Sequence, residues 1–177
     1  AEGKVQTIIK EQSDTFIHYS TAGKSLFERL GEDEILWASE RDGWNHLYRY
    51  SRASGEVLNQ VTSGSWNVKR IEKIDRERKQ VWFYAVGVRE DQDPYHEHFC
   101  RVNFDGRDFQ ILTAGDGTHQ IELQQQGKFF IDTYSRVDLA PVRELRESLS
   151  GELICELSRE NIVEKFGPRR LPERFVA

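Results

Sequence analysis

An all-β fold of the partial β-propeller kind, with about three four-stranded antiparallel blades plus one orphan strand, is predicted by two observations. A glycine followed by a short apolar strand recurs four times, and the intervals between copies hold short alternating strands punctuated by turn residues. Four strands in about 50 residues is the size of one propeller blade. A sandwich or barrel has a similar strand density, but neither demands a recurring unit of this length.

The four copies are GKVQTIIK from Gly3, GEVLNQVT from Gly55, GRDFQILT from Gly106 and GELICELS from Gly151, and they superimpose without gaps. Ile9, Val61, Leu112 and Leu157 fall at one offset. The second and third copies extend backwards, DGWNHLYRYSRASG (Asp42 to Gly55) running parallel to DPYHEHFCRVNFDG (Asp93 to Gly106). This alignment pairs Trp44 with Tyr95 and Tyr48 with Phe99, and Ser-Gly and Asp-Gly supply positive φ at the hairpin tips. Further strands are read in TFIHYS, EILWASE, NVKRIEKI, QVWFYAV, HQIELQQ and KFFIDTY, rich in β-branched and aromatic residues. PVRELRESL is the only segment with a 3.6-residue spacing, and its place just before Gly151 favours a strand.

The organisation that follows is a single partial propeller over residues 1–177. Residues 1–10, with an orphan strand at Lys4 to Lys10, close a preceding blade; 11–62, 63–113 and 114–158 are blades; 159–177 is an exit segment. A ring needs about 4 to 8 blades. Open faces therefore remain, to be covered by missing blades, by a partner or by self-association.

Composition bounds the partners. The chain has 177 residues, 37% of them hydrophobic and 11% aromatic, enough for a packed core. Charged residues make up 31% with a net charge of -5 and interspersed signs, so no basic block invites nucleic acid. No apolar run approaches the roughly 20 residues that span a bilayer, and AEGKVQTIIKEQ lacks the regions of a signal peptide. Cys100 in FCRV and Cys155 in LICEL are expected to be buried free thiols, with no disulfide framework. The absence of Met fits an excised piece of a longer chain.

No catalytic, substrate-binding or metal-binding residue and no cofactor is assigned from the sequence. The GxSxG turn of an α/β-hydrolase is absent, and Ser65 in SGSWN reads as an interblade turn. His96 and His98 in PYHEHF share strand parity, as metal ligands would, but without further ligands at suitable spacing a solvated turn is favoured. Asp14, Asp42, Asp93, Asp105 and Asp116 read as turn caps. Trp37, Trp44, Trp66, Trp82, Phe83, Tyr84 and Phe99 read as core aromatics in preference to a stacking platform. Arg136 and Asp138 interrupt YSRVDLAPV; an ion pair bracing the loop is one explanation, and a contact surface for a neighbouring domain or substrate is the other.

SERDGWNHLYRY (Ser39 to Tyr50), TSGSW (Thr62 to Trp66), YHEHFCRVNFDG (Tyr95 to Gly106), DTYSRVDLAPV (Asp132 to Val142) and LPERFVA (Leu171 to Ala177) together closely resemble the amino-terminal propeller of the dipeptidyl peptidase IV family, of the prolyl oligopeptidase type. The likeness runs from Val5 to Ala177. It implies the last blades of an eight-bladed propeller that caps an α/β-hydrolase domain, in an enzyme removing amino-terminal dipeptides or tripeptides ending in Pro or Ala. LPERFVA resembles the crossing into the hydrolase domain, which places the Ser, Asp and His of the triad beyond Ala177. The family's Glu-Glu pair for the substrate amine has no counterpart here, and the loop Tyr19 to Leu26 carries no motif that licenses a substrate contact.

The expectation is a non-catalytic propeller fragment of a dipeptidyl peptidase IV-like serine exopeptidase, which gates and orients peptide substrates in the intact enzyme. Its partners would be the missing blades, the α/β-hydrolase domain and the peptide substrate. From the resemblance alone, the parent would be periplasmic or exported. The rival is a propeller scaffold for protein partners, unrelated to an enzyme.

Overall fold

The structure is a computed structural model, and it describes residues 5, 7–14, 16–17, 27–124, 127–161 and 164. Gly3, Lys4, most of TFIHYS, the loop Tyr19 to Leu26 and the segment LPERFVA lie outside the described residues.

Among the described residues twelve strands form. They are β1 (Phe27–Arg29), β2 (Glu34–Ser39), β3 (His46–Ser51), β4 (Val57–Gln60), β5 (Asn67–Asp75), β6 (Gln80–Val86), β7 (Glu97–Asn103), β8 (Gln110–Ile111), β9 (Thr118–Leu123), β10 (Phe129–Arg136), β11 (Leu139–Glu147) and β12 (Leu153–Arg159). They make three four-stranded antiparallel sheets, each a simple meander of consecutive strands. The segment PVRELRESL lies largely in β11, so its helical spacing is overridden by pairing with β10 and β12. The apolar run of β6 is buried from Val81 to Ala85, as a strand covered on both faces requires. By contrast β10 alternates, burying Phe130, Asp132 and Tyr134.

The repeat glycines close the hairpins that end each sheet. Gly106 (φ 84°) and Gly151 (φ 73°) occupy the left-handed region, where a side chain is strained. A Cβ on Gly106 would lie 2.9 Å from the Gln60 carbonyl oxygen, and one on Gly151 would lie 2.5 Å from that of Leu112. Each glycine thus admits the backbone at the end of the preceding repeat's last strand.

Within β3 and β7 the gapless alignment of the repeats is corrected. Val61 N–H donates to Leu47 O at 2.7 Å, and Leu112 N–H donates to Phe99 O at 2.8 Å, so Leu47, not Tyr48, corresponds to Phe99. The cause is turn length: Gly55 N–H reaches back to Ser51 O, whereas Gly106 N–H reaches only to Asn103 O, one residue nearer. An extra residue between Tyr95 and His98 compensates. The pairing of Trp44 with Tyr95 holds, since each main-chain N–H is bonded by the Asp two residues earlier, at 3.2 and 2.9 Å.

The chain forms two compact units, Ala1–Phe83 with Val102–Phe109, and Tyr84–Arg101 with Gln110–Ala177, so β6 and β7 contribute to both. In the first unit Trp66 stacks on Phe109 at 5.2 Å and on Phe83 at 6.0 Å. Ile8 and Ile9 pack on Ile35, Tyr48 and Tyr50 beside Trp37. Glu11 accepts hydrogen bonds from Trp37 Nε1 at 2.6 Å and from the Ser39 hydroxyl. Residues 7–10 lie in no strand and pack through Ile8 and Ile9, while Lys4 and Gln6 of the strand expected at Lys4 to Lys10 lie outside the described residues. In the second unit Phe99 meets Phe130 at 5.5 Å and Tyr84 at 5.4 Å, and the Tyr84 hydroxyl accepts from Ile121 N at 2.9 Å.

One offset separates covered from open repeats. Val61 and Leu112 are 2% and 1% exposed, whereas Leu157 is 48% exposed. Cys155 is exposed on the same strand, which corrects its expected burial; Cys100 is buried as expected, and burial pushes its thiol pKa up. The difference is positional. β12 is the outer edge of its sheet, and every one of its residues is exposed.

Candidate functional site

The sequence-level candidates converge on loops and buried histidines in the second unit, and a simpler version of the same arrangement occurs in the first. There the Thr62 hydroxyl oxygen accepts from Leu47 N–H at 2.9 Å and meets His46 Nδ1 at 3.0 Å. His46 Nε2 faces the Gly64 carbonyl at 2.9 Å. A carbonyl only accepts, so Nε2 carries a hydrogen and donates it to Gly64 O. Every polar atom of this buried His is satisfied.

The second unit repeats half of this arrangement. Thr113 Oγ1 accepts from Phe99 N–H at 3.2 Å and meets His98 Nδ1 at 3.1 Å. Gly115 O, the counterpart of Gly64 O, is occupied by His119 Nε2 at 2.9 Å, which leaves His98 Nε2 buried without a hydrogen-bond partner. The two rings lie 4.9 Å apart. Burial first, then the neighbouring His119, Arg89 and His96, depress the His98 pKa to about 3. His98 is 1% exposed and His96 is also buried, so the solvated turn expected for this pair is corrected: β7 begins at Glu97 and carries His98 into the core.

His119 Nδ1 contacts Asp132 Oδ1 at 2.8 Å, with both side chains fully buried. A His–Asp pair is two thirds of a hydrolytic triad, but the nitrogen that would face a nucleophile is bonded to Gly115 O. Behind it Arg146 Nε lies 3.5 Å from Asp132 Oδ2, donates to Glu144 at 2.6 Å through Nη2 and to Gly151 O at 2.7 Å through Nη1. These buried contacts tie β9, β10 and β11 together. Among the described residues no group of three or more His, Cys, Asp or Glu side chains is placed to hold a metal ion.

At the surface end of the same unit Arg136 is gripped from two sides. It donates to Asp138 through Nε at 2.5 Å and Nη2 at 3.3 Å, and through Nη1 to the Asp116 carbonyl oxygen at 3.2 Å and to the Asp116 carboxylate. His96 Nδ1 lies 3.3 Å from the other Asp116 oxygen. The Asp138 hydrogen bond foremost, and the charges of Asp116 and Asp138, raise the Arg136 pKa. The ion pair read from YSRVD therefore exists. An Arg shared between two carboxylates braces a loop and is already neutralised.

The remaining candidates have structural roles. Ser65 lies in the exposed connection between β4 and β5. Asp42, Asp93 and Asp105 each bond a main-chain N–H two residues on, as turn caps do. Trp66, Trp82, Phe83, Tyr84 and Phe99 are buried and Trp37 is half-buried, while Trp44 is exposed at a loop. Thr62, Thr113, His46, His119 and Asp132 went unnoticed in the sequence, although Thr62 and Thr113 both end a Gly-strand copy.

Three meandering four-stranded antiparallel sheets with a recurrent Gly turn define the chain as a partial β-propeller. The family described as the dipeptidyl peptidase IV (DPP IV) N-terminal region matches residues 1–141, and this chain belongs to it. It is 27% identical over 139 residues to the "Probable dipeptidyl peptidase 4" of Emericella nidulans, covering 76% of this chain and 17% of the relative. It is 23% identical over 181 residues to the dipeptidyl peptidase 4 of Trichophyton rubrum, covering 97% of this chain and 22% of the relative. The dipeptidyl peptidase 4 of Porphyromonas gingivalis has the same fold over 76% of this chain and 18% of that one, with a TM-score of 0.60 at 21% identity. The chain thus spans about a fifth of the length of these relatives. Among the described residues no helix is long and apolar enough to cross a membrane.

Proposed function

We propose that this chain is a non-catalytic propeller portion of a dipeptidyl peptidase IV-like serine exopeptidase, and that in the intact enzyme it gates and orients peptide substrates. The family match over residues 1–141 carries this reading. The buried His119–Asp132 pair supports the non-catalytic part, because its outward nitrogen is spent on a main-chain carbonyl. Blades at 11–62, 63–113 and 114–158, a closing segment at 1–10 and an exit segment at 159–177 complete the reading.

The partners are then further blades, an α/β-hydrolase domain and a peptide substrate, in an exported parent. The half-exposed Leu153, Ile154 and Leu157 of β12, unlike the buried Val61 and Leu112, support self-association of the isolated chain. The test is the gene read past Ala177. A GxSxG-bearing α/β domain downstream is expected; an open reading frame without one favours the scaffold alternative and overturns the proposal.

A further inference from the structure

Two turns of the first unit line one cleft of about 240 Å³: the β1–β2 turn brings Glu32 and Asp33 to it, and the β5–β6 turn brings Arg76 and Lys79. Leu30 and Phe104, both buried, give the cleft its apolar lining. Main-chain contacts fix the two sides. Arg52 donates to Asp33 O through its N–H at 2.7 Å and to Glu32 O through Nη1 at 3.0 Å. Phe104 N–H donates to Lys79 O at 2.8 Å, and Lys79 is held at φ 55°, a left-handed conformation that a lysine rarely adopts. Such backbone strain persists only where the surroundings over-determine it, and it concentrates at functional sites.

The charges on the two turns are opposite and are not spent on each other. Among the described residues, neither the Glu32 nor the Asp33 carboxylate forms an ion pair with Arg76 or Lys79. Glu34, the third carboxylate of the acidic turn, lies 3.5 Å from Arg49 Nε, and Arg76 gives Nε and Nη2 to Arg29 O at 3.2 and 2.7 Å. Glu32, Asp33 and Lys79 thus remain as exposed charges on the rim of an apolar floor. A ligand carrying both signs on one small frame matches this layout. An ammonium suits the acidic turn and a carboxylate the basic one, through charge-assisted hydrogen bonds, and an apolar group set on Leu30 and Phe104 leaves water. The volume selects a small molecule, since pockets for larger ligands begin at about 300 Å³.

We propose that this cleft binds a small zwitterion of the α-amino-acid class with an apolar side chain, its ammonium at Glu32 and Asp33, its carboxylate at Lys79 and its side chain on Leu30 and Phe104. Lys79 takes the carboxylate because two of the three Arg76 nitrogens are committed to Arg29 O. The site stands apart from the parent reading above: it lies wholly within the first unit and uses none of the buried histidines.

The test titrates the isotope-labelled chain with L-leucine, with leucinamide, which lacks the carboxylate, and with N-acetylleucine, which lacks the ammonium, following amide shifts by NMR at neutral pH. Leucine is expected to shift the amides of Gly31–Glu34 and Arg76–Lys79 with a Kd on the order of 1 mM, and each blocked derivative to bind about tenfold or more weakly. Lys79→Gln, at an exposed position, is expected to lower leucine to the level of leucinamide while leaving leucinamide unchanged, and Asp33→Asn to weaken leucine severalfold. No shift at these amides with about 10 mM leucine, equal binding of leucine and its two derivatives, or leucine binding that both variants leave intact would each overturn the proposal.

Discussion

The His98 ring meets the Thr113 hydroxyl at 3.1 Å, and His46 meets Thr62 in the same way at 3.0 Å, with the same threonine oxygen accepting the N–H of the residue after the histidine. One hydroxyl thus satisfies a side chain and a main chain at once. Removing it leaves two buried polar groups without partners. Thr113→Val is expected to cost about 1 to 3 kcal/mol in urea unfolding, and Thr113→Ser to restore most of it. Equal stability of the Val variant and the parent chain would contradict this.

The buried His98 makes stability pH-dependent. Its folded pKa is near 3 against an ordinary value of 6.5, so the native state favours the neutral ring. Its contribution is complete above pH 6.5 and is lost as pH falls toward 3, where the ring must charge while facing His119, Arg89, His96 and Asp116. The loss is expected to be on the order of 4 kcal/mol, and His98→Phe should flatten the acid limb of the stability profile by about one proton. An unchanged slope in that variant would assign the limb to other groups.

Gly151→Ala combines a left-handed φ with a Cβ placed 2.5 Å from Leu112 O and 2.7 Å from Leu112 Cα. Backbone must move to admit it. A loss of at least about 2 kcal/mol is expected, larger than for Gly31→Ala, where a Cβ meets nothing within 4 Å. Similar melting temperatures for the two variants would refute the close approach.

The two thiols should separate cleanly. Cys155 is exposed on β12, whereas Cys100 is buried with a raised pKa. A thiol reagent at neutral pH is expected to modify Cys155 promptly and Cys100 only after unfolding. Rapid modification of both would show the core around β7 to be open.

Much of this fold was legible in the chain. Gly55, Gly106 and Gly151 marked the hairpins because their backbone conformation and close packing demand glycine, and the apolar run at β6 announced a strand buried on both faces. The shift of Leu47 against Phe99 was not legible, because a turn shortened by one residue and a loop lengthened by one leave the glycine spacing unchanged. The burial of His98 was hidden too: PYHEHF is polar by composition, and only Thr113, fifteen residues on, makes that polarity tolerable inside. Cys155 misled for the opposite reason, since LICEL is apolar while β12 is an outer edge strand. In the cluster at the loop end, Arg136 and Asp138 were visible as neighbours, but Asp116, which completes the brace, was visible only as a turn residue.

The central claim, that this family member lacks catalytic machinery of its own, is tested most directly by incubating the isolated chain with a Gly-Pro-linked chromogenic substrate. No release of chromophore above the buffer rate is expected, with or without a serine-directed inhibitor. Turnover that the inhibitor abolishes would contradict it.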